Sequence, residues 1–251
     1  MNPVSICVDL LKRVVIKTER ARLSASPPWA GYLFREVQRR ATAQTVDFIY
    51  EQMPKAMFFA DHFELLKFSL KACPDGIVAE FGVDAGASIN FISKNIEREV
   101  HGFDSFEGLP EEWVGYTDFS HRFQRRGKIP RVHRNVKLHV GWFDDTLPKF
   151  LEKHPGNFAF IHVDCDLYSS TQAILSHCAC RIKPGTVIVF DEFFNYPNWQ
   201  QHEYRAFTEY VQAAEVHWEY LGYSGNQVSI RITATNERTG KEPGLTKVTG
   251  N

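Results

Sequence analysis

From residue 77 onward, short apolar runs alternate with stretches of helical spacing. The runs are Ile77–Phe81, Val100–Phe103, Val136–Val140, Phe158–Val163 and Thr186–Phe190. Most are β-branched or aromatic and apolar at consecutive positions, the pattern of parallel strands covered on both faces. Ser169-Ser-Thr-Gln172 reads as a capping box opening a helix through Ile174, Leu175 and Cys178, which Lys183-Pro184-Gly185 closes. Asn198-Trp-Gln-Gln201 reads as a second helix start, before Phe207, Tyr210 and Val211. Two last strands, Val216–Leu221 and Gln227–Ile232, flank a tight connection and so pair antiparallel. The pattern predicts an α/β fold: a doubly wound, mostly parallel, seven-stranded sheet that ends in an antiparallel hairpin.

Residues 1–75 read as a helical extension, a lid or a dimer contact. Val4, Leu10, Leu11, Val14 and Val15 recur at helical spacing, and Phe63, Leu66 and Leu70 do so within Asp61–Ala72. Ser26-Pro27-Pro28-Trp29 breaks the pattern before a helix expected over Ala30–Arg40, and Pro74-Asp75-Gly76 stops the region. The sheet domain is expected over residues 76–235, with a polar tail over 236–251.

Charge removes some function classes. Lys and Arg total 29 against 30 Asp and Glu, a net charge of -1, so no global positive field draws the chain to nucleic acid or to an anionic membrane. No apolar run is long enough to span a bilayer. Five Cys without C-x-x-C spacing argue against a disulfide framework and a structural zinc site, and point to a cytoplasmic protein. The basic, amphipathic residues 4–22 leave an interfacial or targeting segment as an alternative.

The most informative stretch is Glu80-Phe-Gly82-Val-Asp84-Ala-Gly86-Ala-Ser88. Gly82 and Gly86 allow a sharp turn and close approach to a ligand. The dinucleotide fingerprint is absent, because Asp84 stands where its middle glycine would be. Glu80 would repel a pyrophosphate but attract an ammonium or sulfonium group. Gly102-Phe-Asp104 supplies an acid about 22 residues after Gly82, the usual partner of a ribose diol. A cleft for a positively charged adenosine is expected, and S-adenosylmethionine fits it.

Four motifs follow in order: Glu80-Phe-Gly-Val, Gly102-Phe-Asp-Ser-Phe-Glu-Gly-Leu-Pro-Glu111, Gly141-Trp-Phe-Asp-Asp-Thr-Leu-Pro148 and Asp164-Cys-Asp-Leu-Tyr-Ser-Ser-Thr171. Together, over residues 53–215, they resemble the macrocin O-methyltransferase family, which acts on sugars and other natural-product scaffolds. The resemblance implies a class I methyltransferase fold, S-adenosylmethionine as donor, a small-molecule acceptor, frequent homodimers and magnesium. It implies that Asp104 and Ser105 hold the ribose side of the donor and that Gly141, Trp142 and Phe143 line the adenine pocket, with Glu80, Gly82, Gly86 and Ser88 also on the donor side. Trp142 and Phe143 read equally as core packing, and Asp144 and Asp145 as helix caps.

Asp164 and Asp166 end the fourth main strand and Asp191-Glu192 the fifth, so four carboxylates converge where such sheets open onto a ligand. They repel unless protonated, hydrogen-bonded or bridged by a cation. By resemblance, Asp164, Asp191 and Glu192 are metal ligands and Asp166 is the base or substrate orienter; Asp164 is also expected at the donor. Glu192 departs from the family, which carries Asp there, so metal-free catalysis with Asp164 on the donor's amine stays open. His162 reads as a core histidine, His202 and Glu203 as substrate contacts or a solvated helix face, and Tyr168 as a pocket wall. The basic segment from His121 to Arg134 reads as a lid, an anion pocket or a solvated loop. A nicotinamide oxidoreductase and a non-catalytic binding protein are the rival readings.

Overall fold

The computed structural model describes residues 28–113 and 123–235. The expectations for residues 1–27, the first part of the basic segment and the tail lie outside them. In chain order the elements are α1 (Pro28–Gln52), β1 (Met57–Phe58), α2 (His62–Ala72), β2 (Ile77–Phe81), α3 (Ala87–Lys94), β3 (Val100–Asp104) and β4 (Val136–Val140). There follow α4 (Phe143–Lys153), β5 (Phe158–Val163), α5 (Tyr168–Cys178), β6 (Val187–Phe190), α6 (Glu203–Ala213), β7 (His217–Ser224) and β8 (Gln227–Ala234).

The strands form one sheet in the order β1-β7-β8-β6-β5-β2-β3-β4. The pairs from β6 through β5, β2 and β3 to β4 are parallel, and β8 runs antiparallel to both β6 and β7. The expected sheet is therefore present with one strand added. Met57 and Phe58 pair parallel with Gly222 and Tyr223, making eight strands among the described residues instead of seven. Two residues are too few to show a period of two, so the pattern could not reveal them.

Apolar residues on consecutive positions divide between two cores by the pleat. Along β6, Val187 and Val189 join the cluster of Leu66, Leu70, Ile89 and Phe160, on the face of α2 and α3. Ile188 and Phe190 join Phe150, Ile174 and Phe207, on the face of α4, α5 and α6. All six residues of β5 are buried. Each fully buried Phe or Ile contributes roughly 1.5–3 kcal/mol.

Helix boundaries differ from the sequence reading in three places. Helix α1 runs from Pro28 to Gln52, well past Arg40. The Ser169 box does not cap: α5 starts one residue earlier after an extended Leu167, and Ser169 Oγ donates to Glu111 Oε1 at 2.6 Å. Asn198 adopts φ +63° before a short 3-10 turn, and α6 begins only at Glu203. Asp61 does cap α2, accepting from Phe63 N at 2.8 Å.

Candidate active site

The chain proceeds outward from β2 through β3 to β4, then returns to place β5 on the other side of β2. The carboxyl ends of β2 and β5 thus flank a topological switch point, where such sheets open a crevice. Asp164 N donates to Phe81 O at 2.8 Å, locking the two ends together, and Gly82 N donates to Phe103 O of β3 at 2.9 Å. Gly82 has φ +93°, and a Cβ there would lie 1.7 Å from the Asp164 carbonyl oxygen. Only glycine fits between the strands.

Two clefts open above these ends, and Asp164 lines both. The first lies between Gly82, Asp84, Asp104, Ser105, Gly141, Trp142, Phe143 and Asp166. The second is bounded by Asp61–Phe63, Ser88, His162, Asp191, Glu192 and the hairpin tip Ser224–Gln227.

The sequence-selected residues divide among these surfaces. Asp104 lines the first cleft, but its carboxylate also accepts from Val83 N (2.7 Å), Asp84 N (2.9 Å) and Phe106 N (2.6 Å). It therefore shapes the glycine loop as well as facing it. Ser105 Oγ accepts from Glu107 N at 3.1 Å, beginning the turn beside it. Trp142 is 38% exposed, and Phe143 packs edge-on to Phe81 at 5.6 Å. Glu80 lines neither cleft; it is fully buried, accepting from Ser88 Oγ at 2.9 Å, with His162 Nδ1 3.2 Å from its other oxygen. Gly86 precedes α3 at φ +80°, with Pro130 of the basic segment 3.3 Å from where a Cβ would lie.

The described part of that segment folds over the first cleft. Phe123 lines it, and Arg125 Nη1 stands 3.5 Å from Asp84 Oδ1. Two weaker candidates fall elsewhere: Tyr168 OH donates to Glu209 on α6, and Tyr168 lines neither cleft. Glu203 is not on a solvated face; it is fully buried, and its Oε2 accepts from Glu192 N at 3.0 Å.

The site is a field of acids with few cations. Asp164 is held well above the usual carboxylate range, first by burial and then by the charges of Asp191, Glu80, Asp166 and Glu203. Glu192 and Glu203 are raised in the same way, again with burial first. Two unit charges 4 Å apart cost about 4 kcal/mol at an effective dielectric of ~20, so these groups cannot all ionise unaided. Burial pulls His162 down, but the Glu80 hydrogen bond and the charges of Glu80 and Asp191 outweigh it and leave it raised.

His162 Nε2, Asp164 and Asp191 bring ligand atoms within 4.8 Å of one another. His162 Nε2 has no hydrogen-bond partner, lying 4.0 Å from Asp191 Oδ1. Glu192 Oε2 and Glu203 Oε1 are also buried without hydrogen bonds. Gln227 Nε2 donates to Asp191 Oδ1 from the hairpin. Such orphaned acceptors around a nitrogen–oxygen donor set fit a divalent cation. Glu192 stands outside the converging group, and His162 stands inside it. Sequence reading passed over that role because the Glu80 partnership spans 82 positions. Where a neutral His162 donates Nδ1–H to Glu80, its Nε2 lone pair faces inward, the orientation that metal-bound histidines adopt.

Comparisons with known proteins point to methyltransferases. Residues 79–193 match a family described as a methyltransferase domain. The chain is 31% identical over 145 residues to the 8-demethyl-8-(2,3-dimethoxy-alpha-L-rhamnosyl)-tetracenomycin-C 4'-O-methyltransferase of Streptomyces olivaceus, covering 47% of this chain and 53% of that protein. It is 30% identical over 129 residues to the demethyldecarbamoylnovobiocin O-methyltransferase of Streptomyces niveus, covering 44% and 48%. The chain thus spans about half the length of these curated relatives. The solved structure of the O-methyltransferase NovP superposes with a TM-score of 0.52 at 23% identity, over 68% of this chain and 79% of that one, and shows the same fold. Residues 79–193 thus match a methyltransferase domain, and the chain shares the fold of a solved O-methyltransferase.

Proposed function

We propose that this chain moves the methyl group of S-adenosylmethionine to a hydroxyl of a small natural-product or sugar-like acceptor. The observation that carries this reading is the meeting of two clefts at Asp164, one bordered by Gly82, Asp104 and the aromatic Trp142 and Phe143, the other by His162, Asp191 and Glu192. The names of both Streptomyces relatives support oxygen as the accepting atom.

In this reading Gly82, Asp104, Ser105, Gly141, Trp142 and Phe143 surround the nucleoside. The Trp142 face is available for stacking on the purine. Glu80, Gly86 and Ser88 act one layer back: they hold the loop and the start of α3. Asp164 accepts from the donor's amine and fixes the methyl group toward the second cleft. Asp166 is buried at φ +64°, lines the donor cleft and takes the acceptor's proton on a carboxylate oxygen. The acceptor oxygen forms its bond to the methyl carbon as the carbon–sulfur bond breaks, leaving S-adenosylhomocysteine. Alignment of oxygen, carbon and sulfur supplies up to ~7–11 kcal/mol, and the base a further ~10²–10⁴-fold.

A divalent cation, when bound, supplies positive charge that lowers the acceptor hydroxyl's pKa. Asp164 and Asp191 would hold it, with His162 Nε2 as the third atom and Glu192 on the adjoining wall. Magnesium would take the two oxygens and keep waters elsewhere.

We also propose that α1 serves a second copy of the chain. It leaves Tyr32, Leu33, Phe34 and Val37 46–63% exposed in one run. Light scattering should then give twice the chain mass, and a Phe34→Asp chain should be monomeric. No helix among the described residues is long and apolar enough to cross a membrane. Among the described residues Cys73, Cys165 and Cys178 form no disulfide, which favours a reducing compartment such as the cytoplasm.

The decisive experiment is calorimetry with S-adenosylmethionine followed by a screen of glycosylated acceptors, reading S-adenosylhomocysteine release. Asp164→Asn should abolish turnover without moving the melting temperature, and chelation should suppress turnover that added Mg²⁺ restores. A wild-type chain that fails to bind the donor overturns the reading.

A further inference from the structure

Beneath α4, on the β3–β4 side of the sheet, three imidazoles gather that methyl transfer does not use. His101 lies on β3, His139 on β4 and His154 at the C-cap of α4. The His101 ring centre is 5.4 Å from that of His139 and 5.0 Å from that of His154. His154 stacks on Phe150 at 4.3 Å. Burial, then the neighbouring His139, His154 and Lys137, pull His101 down to about 4, and burial and His154 lower His139 as well. His101 and His139 are thus both biased toward the neutral imidazole, the form that binds metal.

The ring nitrogens are also oriented. His154 Nδ1 lies 3.0 Å from the Phe150 carbonyl oxygen, which can only accept, so Nδ1 carries the proton and Nε2 offers its lone pair. His101 Nδ1 contacts His139 Nε2 at 3.2 Å, which leaves His101 Nε2 facing Glu99 Oε1 at 3.6 Å. The ligand atoms of Glu99, His101 and His154 all lie within 4.8 Å of one another.

We propose that Glu99, His101 and His154 form a second divalent-metal site, selective for a borderline transition ion such as Zn²⁺ or Co²⁺ over Mg²⁺. Two imidazole nitrogens and one carboxylate suit such ions. Bonds of about 2.1 Å in a tetrahedron separate ligand atoms by roughly 3.4 Å. The approach still needed falls to Glu99, whose side chain is 47% exposed and free to swing inward. His139 takes the outer position, accepting from His101 Nδ1–H, as partners of metal-bound histidines do. The ion would also stand at the C-terminal end of α4, where the helix dipole favours positive charge. It would tie the start of β3 to the end of α4, a structural role.

The test is a Co²⁺ titration of chelator-stripped, tag-free protein, reading d–d absorption, calorimetric stoichiometry and melting temperature. Expected is one nitrogen-ligated ion per chain retained in Asp164→Asn, with a raised melting temperature. Both Glu99→Gln and His154→Gln, placed on the exposed side, should weaken that ion at least tenfold and leave S-adenosylmethionine affinity unchanged. Binding unaltered in those two variants, or abolished by Asp164→Asn alone, overturns the second site. Failure of donor binding would refute the proposed function and leave this site untouched.

Discussion

Asp104 illustrates how one carboxylate can serve two masters. Its sequence position points to a ribose, while its three backbone partners show that it also builds the loop that would grip the donor. Asp104→Ala should lower both donor affinity and the melting temperature, by ~1.5–3 kcal/mol of lost charged hydrogen bonds. A residue that touched ribose alone would change only the calorimetric affinity. Gly82→Ala should be harsher, because the added methyl meets the Asp164 carbonyl oxygen and the backbone is left-handed. Overpacking and strain together cost about 2–4 kcal/mol, readable as a shift in denaturant midpoint. Residues that line the first cleft, among them Gly82, Asp104, Gly141, Trp142 and Phe143, stood out as short motifs. The partnerships did not, since Glu80 meets His162 and Glu192 meets Glu203 through the sheet's three-dimensional order.

At the scale of elements, the strand pattern was readable because burial on both faces leaves uninterrupted apolar runs. Ile77–Phe81, Val136–Val140 and Phe158–Val163 begin and end where that pattern places them. Helix starts were less readable, because Ser169 found a better partner in Glu111 than in its own backbone. Where a cap does form it can be tested: Asp61→Ala should destabilise by about 0.5–2 kcal/mol in thermal unfolding. Helix α1 shows a role that periodicity does not disclose. Gln38 Nε2 donates to Asn195 O at 2.8 Å, Thr42 Oγ1 to Asn195 Oδ1 at 2.9 Å, and Asn195 N to Thr45 Oγ1 at 2.9 Å. The helix thus clamps the loop that carries Asp191 and Glu192.

Over the whole molecule, the aromatic core sets an alkaline limit. Burial pushes Tyr220 up to about 12, and Tyr210 is raised too. A raised phenol favours the folded state below its unfolded value near 10, and that contribution fades as pH climbs from ~10 through the folded value. Unfolding monitored by circular dichroism should therefore steepen between pH 10 and 12, and Tyr220→Phe should blunt it.

The common wall at Asp164 has a chemical corollary. A single compound joining an adenosine to a sugar through a short tether at the sulfur position could fill both recesses at once. The second half would bind at the high effective concentration set by the tether, giving avidity that neither fragment reaches separately.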